Sequence, residues 1–196
     1  CMGAGLNIAQ GVEKVEPDTT CFAFVGDSTF FASAITGVVN AVYNQANMVL
    51  IVLDNSTTAM TGHQPHPGTG CTVMGEIVQK INIEQVLRGI GVTEVETVNP
   101  KDLNASVACV QKMAAKNGVK AIIFKSPCIA VTKPDAPLHV VSDKCIGCKK
   151  CIKELGCPAI VLNDGNVCID SSMCTGCGLC SQVCPVTAIT GGEDHE

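Results

Sequence analysis

The chain runs to 196 residues, 46% of them hydrophobic and 16% charged, which allows one medium domain plus a small module and excludes a disordered chain. Its formal net charge is −5, with no basic stripe and no Trp, so nucleic acid is not an expected partner. No apolar run reaches the length of a bilayer span and no signal peptide is visible, so no membrane partner is expected. Of the 14 cysteines, nine follow Lys144. Clustered cysteines mean disulfides or metal. Without a secretory signal, and with triplets too tightly spaced to pair with one another, metal is the expectation. The chain begins at Cys1 rather than Met, which reads as a fragment or a processed product.

In chain order, "CMGAGLNIAQG" (1–11) is rich in small residues and suits a helix packed on a sheet. "CFAFV" (21–25) and "MVLIV" (48–52) are short apolar runs that read as strands, the second buried on both faces. Between them, 30–45 carries Phe31, Ile35, Val38, Val39 and Val42 at helical spacing. A strand over 92–98, a helix over 101–116 with Gly118 as its C-terminal cap, and a strand over 119–125 follow. This alternation predicts an α/β fold, a parallel sheet with helices on both faces. Cys21 and Cys109 are expected as buried apolar residues, while Cys71 and Cys128 have no assigned place. The segment 126–139 holds three prolines and reads as a linker, placing a domain boundary near Pro137. The expected domains are therefore 1–137 and a small α+β module over 138–196.

That module contains an internal repeat. "CIGCKKCIKELGCPAI" starts at Cys145 and "CTGCGLCSQVCPVTAI" at Cys174. The second follows C-x2-C-x2-C-x3-C-P, the pattern of bacterial two-cluster ferredoxins, in which the fourth cysteine of each run serves the other cluster. Three thiolates on a tight loop hold three corners of a cubane, with Gly147 and Gly176 letting the backbone approach. Cluster one is assigned to Cys145, Cys148, Cys151 and Cys184, and cluster two to Cys174, Cys177, Cys180 and Cys157. The first run departs from the pattern, with five residues rather than three between Cys151 and Cys157. Structural zinc usually shows two C-x-x-C pairs, so two [4Fe-4S] clusters are the reading here. It implies low-potential electron transfer in a reducing cytoplasm. Cys168 lies outside both runs and is expected in the core.

Two further stretches carry chemistry. "VGDST" (25–29) closes a strand and opens a helix, with Ser28 or Thr29 as candidate cap. A helix start suits a phosphate, and Asp27 would repel one unless a cation such as Mg²⁺ sat between them. About 26 residues after Ser28 comes Asn55, at the end of the next strand, where open parallel sheets bind ligands. It sits in "LDNSTTAMTGHQPHPGTG" (53–70), a long loop with little to pack. His63 and His66 read as solvated loop histidines, with His63 a candidate for the substrate side.

"GDSTFF" and "LDNSTTAMTGHQPHPG", followed by a ferredoxin module, resemble the thiamine diphosphate (TPP) dependent 2-oxo acid:ferredoxin oxidoreductases. Within them the similarity is to the C-terminal part of the indolepyruvate:ferredoxin oxidoreductase alpha subunits, over essentially the whole chain. The resemblance implies Mg²⁺ held by Asp27, the Asn55 side chain and the main-chain oxygen of Thr57. It implies diphosphate contacts from Gly26, Ser28, Thr29 and the backbone through Thr58, Ala59, Met60, Thr61 and Gly62. Met2 and Gly3 resemble the family's segment near the thiazolium, which stands beside the packed-helix reading. The implied reaction is oxidative decarboxylation of an aryl 2-oxo acid such as indolepyruvate, with CoA as co-substrate and an external ferredoxin as electron acceptor. Pyruvate, branched-chain 2-oxo acids and 2-oxoglutarate are alternative substrates, and a pure electron-transfer module on a degenerate TPP fold is an alternative of another class. The family's pyrimidine-binding part and its beta subunit would be partners in a hetero-oligomer, and this chain alone is expected to be inactive.

Overall fold

The run at 48–52 becomes the interior strand of the molecule because every one of its side chains finds cover. A computed structural model describes residues 1–191, and in it Met48, Val49, Leu50, Ile51 and Val52 are all buried. At ~1.5–3 kcal/mol for each large aliphatic side chain taken from water, this strand anchors the sheet.

The chain divides into two compact units, the first being Cys1–Val131. Its elements are α1 (Ala4–Val15), β1 (Cys21–Gly26), α2 (Asp27–Thr29), a π-helical turn (Phe30–Ala34), α3 (Ile35–Tyr43), β2 (Met48–Asp54), α4 (Ile83–Ile90), β3 (Glu94–Val98), α5 (Leu103–Ala114) and β4 (Val119–Lys125). The strands form a sheet in the order β1-β2-β4-β3, and every pairing is parallel. On one face Leu6, Phe30, Val38 and Leu87 from the helices pack with Ala23, Val25, Leu50, Val52 and Ile123. On the other, Cys109 and Met113 of α5 meet Val49, Ile51 and Ile122. The expected parallel sheet with helices on both faces is therefore present, and Cys21 and Cys109 are buried as expected.

Three local expectations need correction. The helix after β1 starts at Asp27, with Gly26 in extended conformation as its cap and no side-chain cap, so neither Ser28 nor Thr29 plays that part. Helix α5 ends at Ala114 with Ala115 as its cap, and Gly118 (φ 83°) instead turns the chain into β4. Helix α4 was not anticipated. It is short, yet Asn82 caps it by accepting from the Gln85 N–H, and Gly91 closes it in left-handed conformation.

The second unit starts at Thr132, a few residues before the expected boundary at Pro137. It contains β5 (Leu138–Val140), α6 (Lys150–Leu155), β6 (Ile160–Asn163), β7 (Asn166–Ile169), α7 (Leu179–Val183) and β8 (Ile189–Gly191). Residues 192–196 of the expected module lie outside the described residues. β5 pairs antiparallel with β8, and β6 with β7. The strand that opens each half of the repeat is thus joined to the strand that closes the other half. The two extra residues of the first run are absorbed by a longer helix, α6, capped by Gly156 at φ 57° before Cys157. In the second half Cys184 itself caps α7. Cys168, expected in the core, is half-buried on β7 because the two-stranded sheet there is covered only in part. Among the described residues, no helix is long and apolar enough to cross a membrane.

Candidate cofactor and cluster sites

Parallel strands leave their backbone groups unpaired at the carboxyl ends, and there β1 and β2 place two carboxylates. Asp27 is 3% exposed. Its Oδ1 accepts from the Ser28 N–H at 2.7 Å and its Oδ2 from the Ser56 N–H at 2.8 Å. Asp54, also buried, accepts from the Ser56 N–H and hydroxyl, and its other oxygen lies 3.4 Å from Lys125 Nζ. Burial pushes the Asp27 carboxyl above the usual carboxylate range, and the negative charge of Asp54 adds to this, against opposing contributions from the backbone N–H donors and His66. Asn55 Oδ1 accepts from the Thr57 N–H. Backbone bonds from Ser126 and Cys128, just past β4, hold the carbonyls of Asp54 and Asn55.

The loop after β2 then folds back on this pair. Thr58 and Gln64 form an isolated bridge around the turn Ala59–Thr61, and Thr58 Oγ1 donates to Ser28 Oγ at 3.0 Å. His63, at positive φ, is exposed at the tip of this turn. His66 is the residue that sequence reasoning missed. Far from being solvated, it is buried, stacked on Phe31 with ring centroids 5.8 Å apart. Its Nδ1 accepts from the Gly68 N–H, which assigns the proton to Nε2. Nε2 stands 3.1 Å from Asp27 Oδ2 but out of hydrogen-bond alignment, leaving it buried without a hydrogen-bond partner. The flanking prolines, Pro65 and Pro67, were the only local sign that this histidine is held rather than free.

Gly68 makes that packing possible. A Cβ there would come within 3.0 Å of His66 Cε1 and 3.1 Å of Phe31 Cε2, both in rings that cannot bend away. Gly68→Ala is therefore expected to destabilise the chain by roughly 1–3 kcal/mol, the usual range for overpacking, seen as a lowered melting temperature.

In the second unit the cysteines gather in two groups. Cys145, Cys148, Cys151 and Cys184 line one small apolar recess with Ile146, Val186 and Ile189. Burial raises the Cys151 thiol, and Cys148 and Cys184 are near enough to raise it further. In the other group, burial and the neighbouring thiols Cys177 and Cys174 push Cys180 up to about 11. The backbone N–H of Leu138 donates to Cys174 Sγ at 3.4 Å, and that of Ala188 to Cys184 Sγ at 3.3 Å. Cys157 is half-buried directly after Gly156. Among the described residues, no three His, Cys, Asp or Glu side chains are gathered tightly enough to hold a single ion.

The model of the thiamine pyrophosphate enzymes, C-terminal TPP binding domain, matches residues 1–124. The chain belongs to this TPP-binding family. A 4Fe-4S binding domain matches residues 167–190, which takes in the second cysteine run and leaves the first outside. The TPP-binding chain is similar to the indolepyruvate oxidoreductase subunit IorA of Archaeoglobus fulgidus, at 39% identity over 195 residues, and to that of Methanothermobacter marburgensis, at 44% over 190. In both cases 96% of this chain is covered, and the chain spans 31% of the length of the relative. Among solved structures, its fold is similar to the 2-oxoglutarate:ferredoxin oxidoreductase from Magnetococcus marinus, with a TM-score of 0.60 at 19% identity over 67% of this chain and 47% of that one.

The strand ends of this TPP-binding domain fit a magnesium diphosphate. Two buried carboxylates share the site, Asp54 with the exposed Lys125 as its ion partner and Asp27 with no lysine partner among the described residues, and the orphaned Nε2–H of His66 stands beside Asp27. Such a set asks for a cation for the carboxylates and an acceptor oxygen for the histidine. Asn55 and Thr57, the other residues implied for the metal, flank Ser56, whose N–H reaches Asp27. Ser28 and Thr58 meet through their hydroxyls beside it. Met2 and Gly3 lie just before α1, where the Ser33 hydroxyl of the π-helical turn donates to the Met2 carbonyl. Residues from Ala4 to Val15 follow the packed-helix reading, with Leu6 and Ala9 buried against the sheet.

Proposed function

We propose that this chain forms the diphosphate-binding and electron-carrying portion of a TPP-dependent oxidoreductase that decarboxylates aryl 2-oxo acids, indolepyruvate foremost. The reaction is 2-oxo acid plus CoA giving acyl-CoA, CO₂, one proton and two electrons, and an external ferredoxin collects the electrons. The observation that carries the reading is the joining, in one chain, of a buried carboxylate site with an orphaned histidine N–H to a module whose cysteines gather in two groups. The names of the relatives favour indolepyruvate as substrate.

Mg²⁺ would be held by Asp27, Asn55 and the Thr57 main-chain oxygen, all hard donors suited to it. Bound TPP supplies the electron sink for loss of CO₂. Around it, Gly26, Ser28, Thr29 and the backbone of Thr58, Ala59, Met60, Thr61 and Gly62 would position the diphosphate, and the His66 Nε2–H would donate to one of its oxygens. His63, exposed on the turn, is the candidate for the substrate side. Two electrons leave through two [4Fe-4S] clusters, one on Cys145, Cys148, Cys151 and Cys184, the other on Cys174, Cys177, Cys180 and Cys157. Met60 is 95% exposed, and Val73, Met74 and Ile77 are nearly as open. So much bare apolar surface supports further protein over this region, a pyrimidine-binding part of the subunit and a beta subunit. Clusters of this kind place the assembly in a reducing cytoplasm.

The test uses the complete assembly, purified without oxygen and mixed with CoA and a panel of 2-oxo acids while the visible absorbance of the clusters is followed. Bleaching led by indolepyruvate or phenylpyruvate is the expected result. Pyruvate or a branched acid leading would move the substrate, and clusters that dithionite reduces but no acid bleaches would leave only an electron carrier.

A further inference from the structure

The two halves of the cysteine module share one backbone plan but differ sharply in charge. Between Cys174 and Cys184 there is no charged residue. Around the first run stand Lys144, Lys149, Lys150 and Lys153, against two acidic residues, Asp143 beside Lys144 and Glu154, which Lys150 meets at 3.8 Å. Lys144, Lys150 and Lys153 are exposed and Lys149 is half-buried. This positive cluster lies in a chain whose net charge is −5.

A second observation is independent of charge. Lys149 caps α6 in left-handed conformation, at φ 58°. The equivalent cap of α7 is Gly178, at φ 78°. The position therefore favours glycine, and the first half carries a lysine there against the preference of its own backbone. A non-glycine residue there carries a strain cost, and such residues cluster at functional sites. The third observation is access. Cys148, adjacent to Lys149, is exposed, whereas its counterpart Cys177 is half-buried. Ile146, between Cys145 and Cys148, is 65% exposed, an apolar point among the lysines.

We infer that the surface formed by Ile146, Cys148, Lys144, Lys149, Lys150 and Lys153 is the docking face for an acidic redox protein, and that electrons leave through the cluster of the first run. The inference rests on the reading of this module as a two-cluster carrier. Lysines around an apolar contact would steer an acidic acceptor, seat it over Cys148, and shorten the electron path to the first cluster. The second, uncharged run offers no such attraction, which makes the transfer directional.

The experiment uses the complete assembly and two acceptors, an acidic bacterial-type ferredoxin and methyl viologen, a small cation that needs no lysines. The variants are Lys149→Gly alone, and Lys150→Gln with Lys153→Gln. Iron content and melting temperature are measured for each, and Lys149→Gly is expected to melt no lower than the parent. For the double variant, KM for ferredoxin should rise by about tenfold or more with a flatter dependence on salt, while viologen reduction stays within about twofold. For Lys149→Gly a smaller rise in the same KM is expected. A ferredoxin KM and salt dependence unchanged in both variants would overturn the inference. Electrons are supplied in parallel by dithionite, removed before the acceptor is added. If 2-oxo acids reduce nothing but dithionite-loaded clusters still show the lysine effect, the docking face stands and the catalytic reading fails.

Discussion

Asp27→Ala in the complete subunit is expected to weaken Mg²⁺-dependent TPP binding by about 100-fold or more, a loss of about 2.7 kcal/mol, with turnover falling in step. Asp27 is the carboxylate on which the site converges, reached by the N–H groups of Ser28 and Ser56 and by His66. Asp54 differs in having a lysine beside it, Lys125 Nζ at 3.4 Å, which already balances its charge. Asn55→Ala should cost less, about 10- to 100-fold, since it removes a neutral donor. Titration calorimetry of both variants with Mg-TPP checks the order. Binding within threefold of the parent in Asp27→Ala would point to a degenerate scaffold.

The same carboxylate gives the site a pH dependence whose sign follows from its burial. Asp27 titrates above its ordinary value of 3.8 in the folded chain. The cofactor-free fold therefore keeps this proton to higher pH than the unfolded chain does. Its contribution to stability is present below 3.8 and is lost as pH rises through the raised folded value. A bound cation reverses this, because it favours the ionised form. The gain in melting temperature on adding Mg-TPP should accordingly grow as pH rises through that window, and Asp27→Ala should flatten it.

Cys184→Ser is expected to perturb the cluster of the first run, although Cys184 belongs to the second. In the fold Cys184 shares a recess with Cys145, Cys148 and Cys151. Cys157→Ser should correspondingly affect the cluster of Cys174, Cys177 and Cys180. Each variant is expected to lower iron from about eight per chain toward about four, if the affected cluster is lost outright. Electron paramagnetic resonance of the reduced protein carries the distinction. The spectrum of Cys184→Ser should match that of Cys148→Ser and differ from that of Cys177→Ser. A match to Cys177→Ser would mean that each run holds its own cluster.

Residues whose chemistry depends on near neighbours in the chain could be read directly. The cysteine triplets are legible because three thiolates within one loop reach one cluster whatever surrounds them. The apolar run at 48–52 is legible because only a strand covered on both faces needs five such side chains in a row, and all five are buried. Asp27 and Asn55 were legible as the ends of adjacent strands, a placement that the parallel β1–β2 pairing bears out. His66 was not. Its burial depends on the Thr58–Gln64 bridge turning the loop back and on Gly68 leaving room for its ring beside Phe31. Those contacts are set by packing and leave no periodic trace.

The cysteine module divides in the same way. Spacing predicts two cluster-binding runs, and the charge difference between them is written in the lysines. That Lys149 stands in a left-handed cap and that Cys148 is open are visible only in the fold, and Cys184 reaches the first run where β5 pairs with β8 and β6 with β7. Ligand type is a local property of the chain, whereas partner, exposure and strain arise only when distant segments are brought together.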